Sequence, residues 1–187
     1  MKPVWPKWSA VVRWIEMRTL FAGMLCVMVL SGADQGRRAP GFALLDAKMK
    51  LHDLYDYRGK PVIIEFMLTS CPHCMAFTSV LEKVQKKYGD KVAILSIANP
   101  PDNFNSITRF VDTNKITYPV MLDIGQVAYS YMLKASFSQP QLFIVDGNGI
   151  IYNHFEYVPA NHDIFEGNGL MNELDRLMGM GIPPPKK

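Results

Sequence analysis

Two cysteines three positions apart, Cys71 and Cys74, stand where an apolar run gives way to a helical pattern. Before them lies Pro61-Val62-Ile63-Ile64-Glu65-Phe66-Met67-Leu68. After them Phe77, Val80, Leu81, Val84 and Tyr88 recur at helical spacing. The junction predicts a buried strand, a short turn, and a pair of sulfurs on the first turn of a helix. Residues three apart share a helix face, so the sulfurs can join as a disulfide or part as a dithiol. The helix start supplies unpaired N–H groups and a partial positive charge. Both favour a thiolate, the reactive form of cysteine. A C-x-x-C at such a junction reads as a redox-active pair.

Composition narrows what the pair can serve. Of 187 residues, 49% are hydrophobic and 20% charged, enough apolar surface for a sizeable core. The net charge of +3 is carried entirely by residues 1–33; the remainder holds 16 basic and 16 acidic residues. A balanced body has no overall pull on nucleic acid or anionic membrane, and a nucleic-acid function is excluded on that ground. The third cysteine, Cys26, lies in the N-terminal apolar stretch. A lone pair at such short spacing closes almost no loop and is a poor staple, so the two remaining cysteines point to chemistry.

The N-terminus sets basic residues ahead of an apolar stretch, Leu20 to Leu30, and then Ser31-Gly32-Ala33. That is the layout of a secretory signal, with cleavage expected after Ala33. Met17 is an alternative start. The competing expectation is an uncleaved anchor, with residues 19–33 as a membrane tether, although the run is shorter than the about 20 residues a spanning helix needs. Lipid attachment at Cys26 is disfavoured, because Leu25 is not a small residue. Residues 1–33 are thus a signal peptide or anchor, 34–40 a linker, 41–180 the folded domain, and 181–187, with three consecutive prolines, a disordered tail.

Within the domain, Phe42–Leu45 and Lys48–Leu51 predict an amino-terminal hairpin turning near Asp46-Ala47. Leu54 to Gly59 reads as a turn or short helix. Val62–Leu68 and Val92–Ile97 are near-continuous apolar strands of the kind covered on both faces. Helices are expected over Phe104–Asn114, Gln126–Leu133 and Leu170–Met178, with an extended piece at Tyr118–Leu122. Gln139–Val145 and Ile150–Phe155 form a hairpin through Asp146-Gly147-Asn148-Gly149. Strands alternating with helices and closing on a hairpin predict an α/β domain: a central mixed sheet flanked by helices.

Several motifs together are similar to those of the TlpA/ResA branch of thioredoxin-like proteins. They are Ala39-Pro40-Gly41-Phe42, Leu54, Arg58-Gly59-Lys60-Pro61-Val62, the C-P-H-C itself, Tyr118-Pro119-Val120, Pro140 and Phe143-Ile144-Val145-Asp146-Gly147. The resemblance spans roughly Ala39 to Leu177. It implies a thioredoxin-like fold with an N-terminal β-hairpin and an exported, often membrane-tethered thiol-disulfide oxidoreductase. Cys71 would then attack, and Cys74, one turn inward, would resolve the mixed disulfide. Pro72, which suits the first helical turn, and His73, placed to hydrogen-bond the Cys71 thiolate, would set the redox poise. The same tetrapeptide resembles that of DsbA, a strong oxidant whose large helical insertion this chain lacks.

Glu65 stands where thioredoxin carries a buried aspartate, and a buried carboxyl suits a proton acceptor for Cys74. Thioredoxin's partnering lysine has no counterpart; Ile94 occupies that position. Pro140 matches the family's cis-proline, and Gln139 before it would help bind substrate; Pro119 reads as a strand-start proline. The expected partners are protein thiols and disulfides together with an upstream membrane or periplasmic redox protein. The expected location is periplasmic or extracytoplasmic. The chain is expected to be a monomer, without metal and without any cofactor beyond the Cys71–Cys74 disulfide. Two alternatives stand beside this reading. One is a copper metallochaperone using His154, although copper-insertion relatives space their cysteines one residue wider; His162, also far along the chain, reads as an ordinary surface or core histidine. The other is a thiol peroxidase, for which Thr69 lies two residues before Cys71 but the Thr-x-x-Cys pattern is absent.

Overall fold

The computed structural model describes residues 36–134 and 137–179. The expected signal segment, Cys26 and the tail 181–187 lie outside the described residues. Two short strands, β1 (Ala43–Leu45) and β2 (Leu51–Asp53), form an antiparallel hairpin. A five-stranded sheet is built from β3 (Val62–Met67), β4 (Ala93–Ala98), β5 (Val120–Leu122), β6 (Gln141–Val145) and β7 (Ile151–Glu156). Its order is β5-β4-β3-β6-β7, with β3, β4 and β5 parallel and β6 and β7 antiparallel to their neighbours. The fold is thioredoxin-like, as expected.

Every residue of β3 and of β4 is buried, the condition of central parallel strands covered on both faces. Side chains alternate between faces, and the two apolar layers follow that alternation. Val62, Ile64 and Phe66 pack with Leu95, Ile97, Phe143 and Tyr131. Ile63 and Met67 pack on the opposite face with Cys74, Phe77, Leu81 and Leu142. Glu65 falls between Ile63 and Met67 in sequence and therefore shares the face of Cys74.

Helix α1 (Pro72–Tyr88) follows β3 after a four-residue connection, with Cys71 as its N-cap and Pro72 at its start. It buries Cys74, Phe77, Thr78, Leu81, Val84 and Tyr88, one stripe at helical spacing, and stops at Gly89, whose φ is 53°. Helix α2 (Phe104–Asn114) begins with a reciprocal cap between Asn103 and Ser106 and lays Ile107, Phe110 and Val111 on the same layer. Helix α3 (Gln126–Met132) covers the opposite layer with Ala128 and Tyr131. The short α4 (His162–Glu166) and α5 (Asn168–Leu177) return to the α1 side through Ile164, Phe165, Leu170 and Leu174.

Four local expectations shift. The second hairpin strand starts at Leu51 instead of Lys48, because Asp46 folds the turn by accepting the Lys48 and Lys50 N–H groups at 2.8 and 2.9 Å. The extended piece at Tyr118 is a strand only from Val120; the Tyr118 side chain is spent on the core. Helix α4 had no separate signal, being five residues long, and α5 starts at Asn168 rather than Leu170. Finally, residues 36–39, read as linker from their polarity, are tied to the β6–β7 turn. Gly36 N–H donates to the Ile151 carbonyl, Ile151 N–H to that of Arg37, and Ala39 N–H to that of Gly149.

Candidate redox site

The first turn of α1 positions the two sulfurs unequally. Cys71 is half-buried at the N-cap, whereas Cys74 is fully buried. Both are free thiols. The Cys74 N–H points at the Cys71 sulfur at 3.4 Å, so the helix end aims a backbone donor at the outer cysteine. The Cys71 thiol in turn lies 3.8 Å from the Gln139 carbonyl, as donor to it. The Gln139–Pro140 peptide is cis, as the resemblance implied; Pro100–Pro101 is a second cis bond that no sequence signal had marked. The arrangement brings Cys71, Cys74, Gln139 and Pro140 to one point.

Thr69, just ahead of the pair, is pinned from a distant loop. Its N–H and hydroxyl both donate to Asp102, at 2.8 and 2.5 Å. Asp102 also accepts from the Ser106 hydroxyl at 2.8 Å, which ties the Thr69 turn to the first turn of α2. The Thr69 hydroxyl is therefore committed to a carboxylate, which weighs against a peroxidatic role for it. Asp102 went unnoticed in the sequence because 33 residues separate it from its partner.

Pro72 and His73 are exposed. The His73 ring stacks on Tyr157 with centroids 4.3 Å apart, and Tyr157 lies 5.5 Å from the His162 ring and 5.2 Å from that of Phe165. The side chain thus rests on an aromatic from the loop after β7, a contact not foreseen from the tetrapeptide.

Beneath the pair lies a polar island inside the apolar layer. Glu65 is 1% exposed. Its register partner on β4 is Ser96, whose hydroxyl donates to Oε2 at 2.5 Å. Oε1 has no partner among the described residues. Burial is the main cause that pushes the Glu65 carboxyl up to about 7, and the Ser96 hydrogen bond partly opposes it. The Cys74 thiol is pushed far up, by burial first and by the Glu65 charge next. Thr78, one turn after Cys74, donates its hydroxyl to the Cys74 carbonyl at 3.1 Å. Tyr118 is 6% exposed and belongs to the same apolar layer. Burial, and then the charge of Glu65, push its phenol well up. Ile94, where thioredoxin's lysine was sought, is an apolar core residue, and the group bonded to Glu65 is the Ser96 hydroxyl. Ser96 could have been suspected as the polar residue inside an otherwise apolar strand; Thr78 and Tyr118 had no local signal.

His154 goes elsewhere. It pairs with Phe143 across β6 and β7, stacks on that ring at 3.9 Å, and meets Gln141 Oε1 through Nε2 at 2.8 Å. Phe143 belongs to the layer opposite Cys74, so the sheet separates this imidazole from the dithiol and the copper reading loses its third ligand. Among the described residues, no cluster of three His, Cys, Asp or Glu side chains is placed to hold a metal.

This geometry, an accessible thiol over a buried one beside a cis-proline, agrees with the comparisons. Residues 35–154 match the AhpC/TSA family. The chain belongs to that family. It is 30% identical over 122 residues to the thioredoxin-like protein YneN of Bacillus subtilis, covering 64% of this chain and 70% of YneN. It is 32% identical over 118 residues to the thiol-disulfide oxidoreductase ResA of Geobacillus kaustophilus, covering 61% of this chain. The chain thus spans 64% of the length of that ResA. A DsbE-type thiol:disulfide interchange protein from Chlorobium tepidum superposes with a TM-score of 0.63 at 25% identity, over 74% of this chain and 96% of that one. The peroxidoxin BcpB of Mycobacterium tuberculosis, at 16% identity and a TM-score of 0.65 over 79% of this chain and 98% of its own, shares the fold. Among its relatives the chain sits with the thiol-disulfide oxidoreductases.

Proposed function

We propose that this protein is an exported thiol-disulfide oxidoreductase that exchanges a Cys71–Cys74 dithiol or disulfide with protein partners. The observation that carries the reading is the inequality of the two sulfurs: Cys71 half-exposed beside cis-Pro140, Cys74 fully buried one turn below. An outer thiolate attacks a partner disulfide, one partner sulfur leaves, and a mixed disulfide joins Cys71 to the other. Cys74 then loses its proton and attacks Cys71, which closes the internal disulfide and releases the second partner sulfur. Glu65 is the base for that proton, placed on the Cys74 face with one oxygen uncommitted. The partner segment lies along Gln139–Pro140, where an extended chain can meet backbone groups beside the sulfur. Pro72 and His73 tune the potential. No organic cofactor enters any step. Export rests on the basic-apolar-small pattern of residues 1–33, and the upstream partner is a membrane or extracytoplasmic redox protein.

The test is trapping. With Cys74→Ser the mixed disulfide has no resolving thiol, so Cys71 holds protein partners as stable adducts on non-reducing gels. Cys71→Ser holds few or none. Equal trapping by both variants would contradict the assigned roles, and insulin reduction with dithiothreitol reports whether the parent turns over at all.

A further inference from the structure

His154 lies away from the sulfurs, yet hydrogen bonds join it to the loop that touches one of them. Gln141 opens β6 with a fully buried side chain on the Phe143 face of the sheet. It is a polar residue beside an aromatic layer that holds Phe66, Phe143 and Tyr131. A buried amide has to satisfy both of its ends, and this one does. Its Nε2 donates to the Ser138 carbonyl at 2.8 Å and to the Ser138 hydroxyl at 3.3 Å. A carbonyl can only accept, so the amide has one orientation, and its Oε1 meets His154 Nε2 at 2.8 Å. That oxygen also only accepts, so Nε2 of the imidazole carries the proton. The ring lies flat on Phe143, with 3.9 Å between centroids and 5° between planes.

Ser138 leads into the part of the chain that lies against the attacking sulfur. Gln139 follows it, and the Gln139 carbonyl is 3.8 Å from the Cys71 sulfur. One chain of contacts therefore runs from Phe143 through His154, Gln141 and Ser138 to the loop beside Cys71. We propose that Gln141 and His154 are positioning residues that hold Ser138–Gln139–Pro140 in register with Cys71, and so set the rate at which Cys71 attacks an extended polypeptide disulfide. The inference rests on the dithiol function above and deepens it. The pair acts through the loop, from the face of the sheet opposite Cys74. A polypeptide pairs its backbone with this loop to bring its own sulfur in line with Cys71. A small disulfide has no backbone to pair, so it reaches Cys71 without the loop. Loosening the loop slows the first class of substrate and spares the second.

The test compares the full chain with Gln141→Leu, His154→Phe and the double variant, all carrying Cys74→Ser so that attack is the only step. Two probes share one leaving group: a short peptide whose cysteine is disulfide-bonded to thionitrobenzoate, and dithiobis-nitrobenzoate itself. The Cys71 thiolate bonds to the peptide sulfur, the old S–S bond breaks, and thionitrobenzoate leaves as the coloured anion. Each single substitution is expected to slow attack on the peptide by about tenfold, the scale of a slightly misplaced reactant, and to leave attack on the small disulfide at the parent's rate. The double variant should be no slower than the slower single one, because both break the same chain. Leucine is apolar like its layer, and phenylalanine keeps the ring on Phe143; if either variant fails to fold, the other carries the comparison of the two probes. Unchanged rates on the peptide would overturn the proposal and leave Gln141 a satisfied core amide. Equal slowing on both probes would overturn it too, because the pair would then serve the domain as a whole. Additive losses in the double variant would show that the two residues act separately. A parent that releases thionitrobenzoate from neither probe removes the dithiol function itself.

Discussion

Glu65→Gln should make the protein more stable as pH rises. The parent carboxyl is pushed from its ordinary value of 4.5 to about 7. A tenfold change in proton affinity is about 1.4 kcal/mol, so the displacement is worth about 3 kcal/mol. The sign follows from proton binding. Between pH 4.5 and about 7 the folded state holds the proton and the unfolded state has released it, so stability falls as pH rises through this window. Below the window Glu65 is neutral in both states and costs nothing electrostatically. Above it the folded chain carries a buried charge with one oxygen bonded to Ser96 and the other unpartnered. Glutamine is never charged. Its amide brings an unsatisfied donor, which costs the same at every pH and cancels in the comparison. The advantage of the variant over the parent, measured by urea unfolding of the reduced proteins, should therefore grow by about 3 kcal/mol between about pH 4 and pH 8. In thermal melts the same change appears as roughly 6 to 12 °C for a domain of this size. Other titrating groups are common to both proteins and drop out of the difference. An advantage that is identical at the two pH values would refute the account, because it would mean that Glu65 ionises in the folded state as easily as in the unfolded one.

Three further outcomes are expected. His73→Ala should lower the reduction potential of the Cys71–Cys74 pair by roughly 30 mV, equivalent to about 1.4 kcal/mol; an unchanged potential in glutathione equilibration would leave the ring as a stacking partner of Tyr157 and nothing more. Asp102→Ala removes the acceptor for both Thr69 donors and should cost about 1–3 kcal/mol while slowing attack by Cys71; intact rates would mean that the Thr69 turn holds its shape unaided. Tyr131→Phe keeps the ring against Phe42, Phe66 and Phe143 but deletes the hydroxyl that donates to the Pro40 carbonyl at 2.9 Å. A loss of about 1 kcal/mol in urea unfolding is expected, and no loss would show that water replaces the bond freely.

What could be read along the chain was whatever depends on neighbours in sequence. An apolar run, a C-x-x-C and a helical stripe name a strand, a redox pair and a helix, because periodicity and capping are local. Proline at the start of α1 and the Asp146-Gly147-Asn148-Gly149 turn belong to the same class. Even the burial of Glu65 followed from its apolar flanks, since a central strand leaves no exposed face. Tertiary structure alone decided who meets whom. Ser96 reaches Glu65 because two parallel strands 31 residues apart fall into one register. Asp102 finds Thr69, and Tyr157 finds His73, through loops that converge only after the sheet has formed. His154 was a plausible neighbour of the cysteines until the pairing of β7 with β6 put it beside Phe143, on the other face. Side-chain direction in a strand alternates with every residue, so a single step of register decides which face a residue serves. That register is set by packing between distant segments, which no local pattern records.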